Sequence, residues 1–148
     1  MMSDLDALYR DVILDHNRRP RNFQALEAGR SAEGHNPLCG DRLTVYVQIE
    51  DDVIKRATFH GFGCAIATAS ASLMTEGLEG RSVGEAEALF ERFERMVTAP
   101  AWAPVEDLGP LSALAGVRHF PVRVKCATLA WRTFRAAAAR DGEVVSTE

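Results

Sequence analysis

Two short runs of alternating apolar and polar residues, separated by an acidic pair, most constrain what this chain can fold into. Residues 44–50 place three β-branched residues on one face, and a second run follows over residues 53–60. An alternation of period two predicts strands that bury one face, and Asp51-Asp52 predicts the turn between them. The chain is therefore expected to contain an antiparallel hairpin.

Helical patterns surround this hairpin. The predicted helices are an N-terminal one capped by Ser3 and ended before Pro20, residues 65–76, a helix that starts at the capping box of Ser82 and Glu85, residues 111–115, and residues 125–139. A glycine-containing polar loop is predicted between the first helix and Cys39. These elements predict an α+β fold, with a small antiparallel sheet packed against several helices. At 148 residues the chain is expected to be a single domain over residues 1–148, with a flexible tail at about residues 143–148.

Composition excludes several classes of function. The net charge of −4 and the pI of about 5.6 argue against a nucleic-acid binder. A short basic cluster, Arg18-Arg19-Pro20-Arg21, is either a solvated helix end or a docking patch for an acidic partner. No apolar run approaches the ~20 residues of a membrane span, and the polar N-terminus does not resemble a signal peptide. We therefore expect a cytoplasmic protein that acts at neither a membrane nor a nucleic acid.

Three cysteines lie at comparable junctions between elements. Cys39 lies in a loop before a strand, Cys64 between a glycine break and a helix, and Cys126 at the predicted start of the last helix. Backbone N–H groups at a helix N-terminus favour the thiolate, which is the form that binds metal or attacks sulfur. Asp41 has two interpretations. It offers a carboxylate oxygen, which zinc accepts as a ligand, or it serves as a turn residue. Spacing alone leaves open whether these are unrelated buried cysteines or one shared site.

Four segments around these residues carry a more specific signal. They are Leu8-Tyr9-Arg10 through Ile13-Leu14-Asp15-His16, Asn36-Pro37-Leu38-Cys39-Gly40-Asp41, Gly61-Phe62-Gly63-Cys64-Ala65-Ile66-Ala67 through Ala69-Ser70-Ala71-Ser72, and Phe120-Pro121-Val122-Arg123-Val124-Lys125-Cys126-Ala127-Thr128-Leu129-Ala130-Trp131. Together they closely resemble the U-type iron–sulfur assembly proteins, and in particular the SufU branch, which is distinct from the IscU scaffolds. The resemblance covers nearly the whole chain, from about Leu5 to Trp131.

The resemblance implies an IscU/SufU-like single domain with one metal site. In that family the residues matching Cys39, Asp41, Cys64 and Cys126 bind zinc. Cys39 is expected to accept persulfide sulfur from a pyridoxal-phosphate-dependent cysteine desulfurase of the SufS type. Other Suf assembly proteins are further candidate partners.

Two departures from the IscU pattern favour a zinc-dependent sulfurtransferase. Lys125 occupies the position where IscU scaffolds carry a histidine, and the segment 98–117 is an insertion typical of the SufU branch. The alternative is a scaffold that holds a [2Fe–2S] cluster or iron in place of zinc. A structural zinc domain is a third possibility.

Three residues are left with two interpretations each. Arg123 matches the branch pattern and is either a polar contact near the site or partner, or a solvated surface residue. His35, shortly before Cys39, is either near the site or an ordinary residue of the loop. His16 is either a site residue or a histidine that suits the C-terminal end of its helix.

Overall fold

The computed structural model of the chain describes residues 4–139 and 145–146, with the side chains of the first helix described from Tyr9 onward. In chain order the elements are α1 Asp4–Arg18, β1 Arg30–Asn36, β2 Asp41–Glu50, β3 Val53–Phe62, α2 Ala65–Leu78, α3 Val83–Thr98, a 3₁₀ segment Gly109–His119, α4 Pro121–Ala139 and β4 Val145–Ser146. The predicted α+β fold is confirmed. Ser3, the predicted cap of α1, lies outside the described residues.

The sheet has four strands in the order β3-β2-β1-β4. The predicted hairpin is confirmed, because β2 and β3 pair antiparallel across a turn in which Asp51 and Asp52 both have positive φ. β1 adds a third antiparallel strand. β4 pairs in parallel with β1 through Gly34 and His35, which makes the sheet mixed. Of the predicted tail at 143–148, the structure describes only these two residues of β4.

β1 corrects the prediction of a polar loop before Cys39. Its inward positions are Ala32, Gly34 and Asn36, which are small or polar and give no apolar alternation in the sequence. The small side chains have a packing reason, because α4 crosses this strand closely. A Cβ atom on Gly34 would lie 2.0 Å from the Thr133 hydroxyl oxygen of α4. The strand is therefore specified by its neighbour rather than by its own hydrophobicity.

The core lies between the inner face of the sheet and helices α2 and α4. Trp131 of α4 is almost completely buried and stacks on Phe93 of α3, with ring centroids 4.7 Å apart. α3 begins at the predicted capping box, in which Ser82 and Glu85 exchange side chain to backbone hydrogen bonds. The Trp131–Phe93 contact joins α3 to α4, and α4 in turn packs against β1 and β2.

Two helix boundaries differ from the prediction. α4 begins at Pro121 rather than near Lys125, because proline suits the first position of a helix, where no N–H donor is needed. The short helix predicted at residues 111–115 is a longer 3₁₀ segment, Gly109–His119. None of the helices in the described part of the chain is long and apolar enough to cross a membrane.

Candidate metal centre

The turn between β1 and β2 presents Cys39 and Asp41. Asn36 and Asp41 are the last paired residues of β1 and β2 before this turn, and the Cys39 N–H donates to the Asn36 carbonyl at 3.3 Å. Gly40 has φ +72°, a conformation that glycine adopts without the cost of a Cβ atom. Asp41 is completely buried on the inner face, whereas Cys39 is half-buried.

Cys64 follows β3 and caps the N-terminus of α2. Its backbone N–H donates to Asp41 Oδ1 at 2.8 Å, and its sulfur accepts from the Ala67 N–H at 3.4 Å. A Cβ atom on Gly63 would lie 3.1 Å from the same Asp41 oxygen, so glycine lets the two segments approach. The predicted position of Cys64 between a glycine break and a helix is confirmed.

Cys126 lies further inside its helix than the sequence indicates. It is the sixth residue of α4 and is completely buried, so the prediction that it starts the helix is wrong. Because α4 begins at Pro121, the free N–H groups of the helix N-terminus lie before Cys126. The Cys126 sulfur nevertheless faces the hairpin turn, 3.3 Å from the Cys39 sulfur.

These side chains form one cluster. The ligand atoms of Cys39, Asp41 and Cys126 all lie within 4.8 Å of one another. Cys64 is adjacent to this group, with its sulfur 3.9 Å from Asp41 Oδ2. The structure thus brings four sequence-predicted residues from three separate parts of the chain into one place.

The electrostatics of the cluster disfavour a buried thiolate without a cation. Burial raises the pKa of the Cys126 thiol far above its usual range, and contacts with Cys39 and Cys64 raise it further.

The Arg123 guanidinium lies 3.7 Å from the Cys39 sulfur and 4.0 Å from the Cys126 sulfur. Arg123 therefore contacts the site, which decides between the two interpretations given for it.

Asn36 is a site residue that the sequence analysis does not identify. Its side chain is completely buried, and its amide nitrogen lies 3.3 Å from Asp41 Oδ2 and 3.5 Å from the Cys126 sulfur. The available signal was its position three residues before Cys39 in the motif. Position in the motif does not reveal the contact, because β1 has no apolar alternation to show which of its residues face inward.

Neither candidate histidine contacts the cluster. His35 pairs with Arg42 across the β1–β2 ladder, and the alternation of the strand directs it to the face opposite Asn36. His16 is buried between α1 and α2, with Nδ1 2.7 Å from the Ser72 hydroxyl. Among the residues that the structure describes, the cluster of potential ligands contains no histidine.

The donor set fits zinc. Thiolate sulfur and carboxylate oxygen are both zinc ligands, and a closed zinc site takes four of them. Three thiols and one carboxylate lie beside one another in this structure. A divalent cation would also supply the positive charge that a buried thiolate requires.

Fold and cluster together define an α+β protein with a thiol–carboxylate site at one end of its sheet. Residues 8–127 match the NifU-like N terminal domain, and the chain belongs to that family. This confirms the resemblance to the U-type assembly proteins.

Two relatives match almost the whole chain. The zinc-dependent sulfurtransferase SufU of Bacillus subtilis is 38% identical over 139 residues, which cover 94% of this chain and 95% of that protein. The iron–sulfur cluster assembly scaffold protein IscU of Streptococcus pyogenes is 40% identical and covers 94% of this chain and 87% of its own length.

A solved structure agrees with the fold. It is a putative iron–sulfur cluster assembly scaffold protein for the SUF system from Fervidobacterium islandicum, 32% identical, with a TM-score of 0.79. The match covers 86% of this chain and 93% of that one.

Proposed function

We propose that this chain is a zinc-dependent sulfurtransferase that accepts persulfide sulfur from a pyridoxal-phosphate-dependent cysteine desulfurase for iron–sulfur cluster assembly. The observation that carries the proposal is the contrast between Cys39 and its neighbours. Cys39 is half-buried on a turn, whereas Cys126 and Asp41 beside it are completely buried. Cys64 is half-buried too, but its sulfur accepts a hydrogen bond from the Ala67 N–H, so Cys39 is the cysteine that we expect an incoming sulfur donor to reach.

The surface around Cys39 suits a protein partner. Four large apolar side chains lie close in sequence to the site residues and are exposed: Leu38, Phe62, Phe120 and Val122, each between 62% and 65% exposed. Leu38 directly precedes Cys39, and Val122 directly precedes Arg123. Large apolar side chains exposed beside a reactive site are typical of docking surfaces. A desulfurase that delivers sulfur to Cys39 would cover them.

The transfer itself is a displacement at sulfur. The Cys39 thiolate attacks the terminal sulfur of the donor persulfide, the sulfur–sulfur bond of the donor breaks, and the donor cysteine leaves as a thiolate. A persulfide then remains on Cys39 for delivery to the next acceptor. Arg123, within 4 Å of the Cys39 sulfur, places a positive charge beside the attacking thiolate and beside the persulfide that replaces it.

Cys39, Asp41, Cys64 and Cys126 would hold the zinc ion. When bound, zinc keeps its ligating thiols deprotonated at neutral pH. Asp41 is buried and accepts from the Cys64 backbone N–H, and Cys126 is buried inside α4, so they would keep their positions while the more exposed Cys39 reacts. Free thiols of this kind require a reducing compartment, and we assign the protein to the cytoplasm.

The second candidate is a scaffold on which a [2Fe–2S] cluster is assembled and transferred. It is favoured by the similarity to the scaffold protein of Streptococcus pyogenes. Lys125 beside Cys126 speaks against it, because lysine offers no imidazole to a cluster. The absence of any histidine from the described ligand cluster agrees with this choice.

Alanine release by the desulfurase separates the two candidates. The rate is measured under reducing conditions with and without the zinc-loaded chain, and with the Cys39→Ala variant. A sulfurtransferase is expected to stimulate the rate strongly, and Cys39→Ala is expected to abolish the stimulation. No stimulation, with iron and sulfide instead forming a coloured cluster on the chain, would support the scaffold.

A further inference from the structure

We propose that Asn36 is a positioning residue for the metal centre, whose side-chain amide sets the orientation of Asp41 and stabilises the sulfur of Cys126 for metal binding. The inference rests on the proposed function, because it concerns the same site. It adds a residue that the ligand set itself does not include.

Asn36 connects three of the segments that form the site. Its backbone carbonyl accepts from the Cys39 N–H, and its amide nitrogen donates to Asp41 Oδ2 and lies 3.5 Å from the Cys126 sulfur. One residue at the end of β1 therefore touches a ligand on its own turn, a ligand on β2 and a ligand on α4.

The amide holds Asp41 in a defined orientation. Asp41 Oδ1 accepts from the Cys64 backbone N–H, and Asp41 Oδ2 accepts from Asn36. A carboxylate with a donor on each oxygen cannot rotate freely, so Oδ2 stays on the side of the cluster, where it lies 3.9 Å from the Cys64 sulfur. Hydrogen bonds of this kind orient ligands and tune their donor strength in metal sites.

The orientation of the amide is itself informative. Asn36 Oδ1 is buried and has no hydrogen-bond partner in the described part of the chain, while Nδ2 has two contacts on the side of the ligands. The reversed amide would point its oxygen at the Asp41 carboxylate and at sulfur, where like charges repel. In this orientation the amide directs its donor toward Asp41 and Cys126, as a positioning role requires.

Zinc affinity tests the assignment. Asn36→Leu has a similar size, lacks the donor and introduces no new ligand. Its zinc dissociation constant is measured by competition with a chromophoric chelator, together with the melting temperature of the metal-free protein. We expect affinity to fall by about 10- to 100-fold, the usual effect of losing a hydrogen bond to a metal ligand, while the metal-free melting temperature changes little.

The matched control is Thr58→Val. Thr58 on β3 carries the other buried side-chain atom without a partner among the described residues, and no contact links it to the ligands. Its zinc affinity is expected to equal that of the wild type. Asn36→Ala serves as a second variant if leucine prevents folding, and the same loss of affinity is expected of it.

The outcomes are distinct. Equal zinc affinity of the wild type and a folded Asn36 variant overturns the positioning role. A variant whose metal-free form melts much earlier, with unchanged affinity in its folded state, also overturns it and makes Asn36 a structural residue. A wild-type chain that binds no zinc contradicts the proposed function instead.

Discussion

The sulfur atoms of Cys39 and Cys126 lie 3.3 Å apart, although 87 residues separate them in the sequence. Cys39 is held by the turn between β1 and β2, and Cys126 by the interior of α4. The packing of α4 on β1, which Gly34 permits, sets this distance. The geometry of the site therefore depends on how the sheet packs against α4.

This proximity predicts a specific disulfide. Chelation of the metal leaves two thiols in contact, and mild oxidation of the metal-free chain is expected to join Cys39 to Cys126. Peptide mapping by mass spectrometry measures the crosslink. Zinc-loaded protein treated in parallel is expected to resist oxidation. A metal-free chain that pairs Cys64 with either cysteine in preference would contradict the observed arrangement.

The exposed apolar surface predicts a docking defect. Leu38→Asp places a charge in the surface around Cys39 and is expected to weaken binding to the desulfurase by about 10-fold or more, as loss of an interface hot spot does. Binding is measured by titration, and zinc content is measured on the same samples. Ala88→Asp, at an exposed position of α3, is the control and is expected to bind normally. Equal affinity of the two variants would place the partner elsewhere.

The burial of His16 predicts that the folded protein loses stability in acid. Burial lowers the pKa of this imidazole below 6.5, and the nearby Arg21 charge lowers it further. The unfolded chain therefore binds a proton at higher pH than the folded chain does. The contribution of this group is fully present above about pH 6.5 and is lost as the pH falls through the depressed folded pKa.

The experiment compares urea midpoints between about pH 5 and pH 7.5, where histidine titrates. His16→Gln is expected to reduce the pH dependence of the midpoint, because it removes the titrating group. His119→Gln, at an exposed position, is expected to leave the dependence unchanged. An identical dependence in the wild type and His16→Gln would show that other groups are responsible.

The close approach of α4 to Gly34 leaves no room for a larger side chain at this position of β1. An alanine Cβ would lie 2.0 Å from Thr133 Oγ1 and 3.1 Å from Leu129 Cδ1, so Gly34→Ala is expected to cost about 1–3 kcal/mol of unfolding free energy. Gly116→Ala, which meets no atom within 4 Å, is the control and is expected to cost little. Adding Thr133→Ala should recover part of the loss at Gly34, measured by urea unfolding as a double-mutant cycle. Equal costs at Gly34 and Gly116 would contradict the close approach of the helix.

The sequence predicts those parts of the fold whose own residues carry the signal. β2 and β3 alternate clearly, and Ser82 with Glu85 marks the start of α3. β1 could not be predicted in this way, because its buried positions are occupied by Ala32, Gly34 and Asn36. Ala32 and Gly34 are small because α4 packs closely against this strand. A contact between distant parts of the chain leaves no pattern in the local sequence.

The same distinction between local sequence signals and distant contacts holds for the site. Cys39 and Cys64 lie beside glycines that predict breaks between elements, and in the structure both cysteines lie at those breaks. Cys126 lies inside α4 rather than at its start, because Pro121 occupies the first helical position five residues earlier. Asn36 and Arg123 depend on contacts across the fold, so residue type and spacing alone could not assign their roles.

Sulfur transfer to Cys39 is the central claim, and the mass of the chain tests it most directly. The zinc-loaded chain is mixed with a persulfide-loaded desulfurase and analysed by mass spectrometry without reductant. We predict a gain of one sulfur atom that peptide mapping locates on Cys39, and no gain in Cys39→Ala. A chain that acquires no sulfur, or a Cys39→Ala variant that acquires it as the wild type does, would contradict the account.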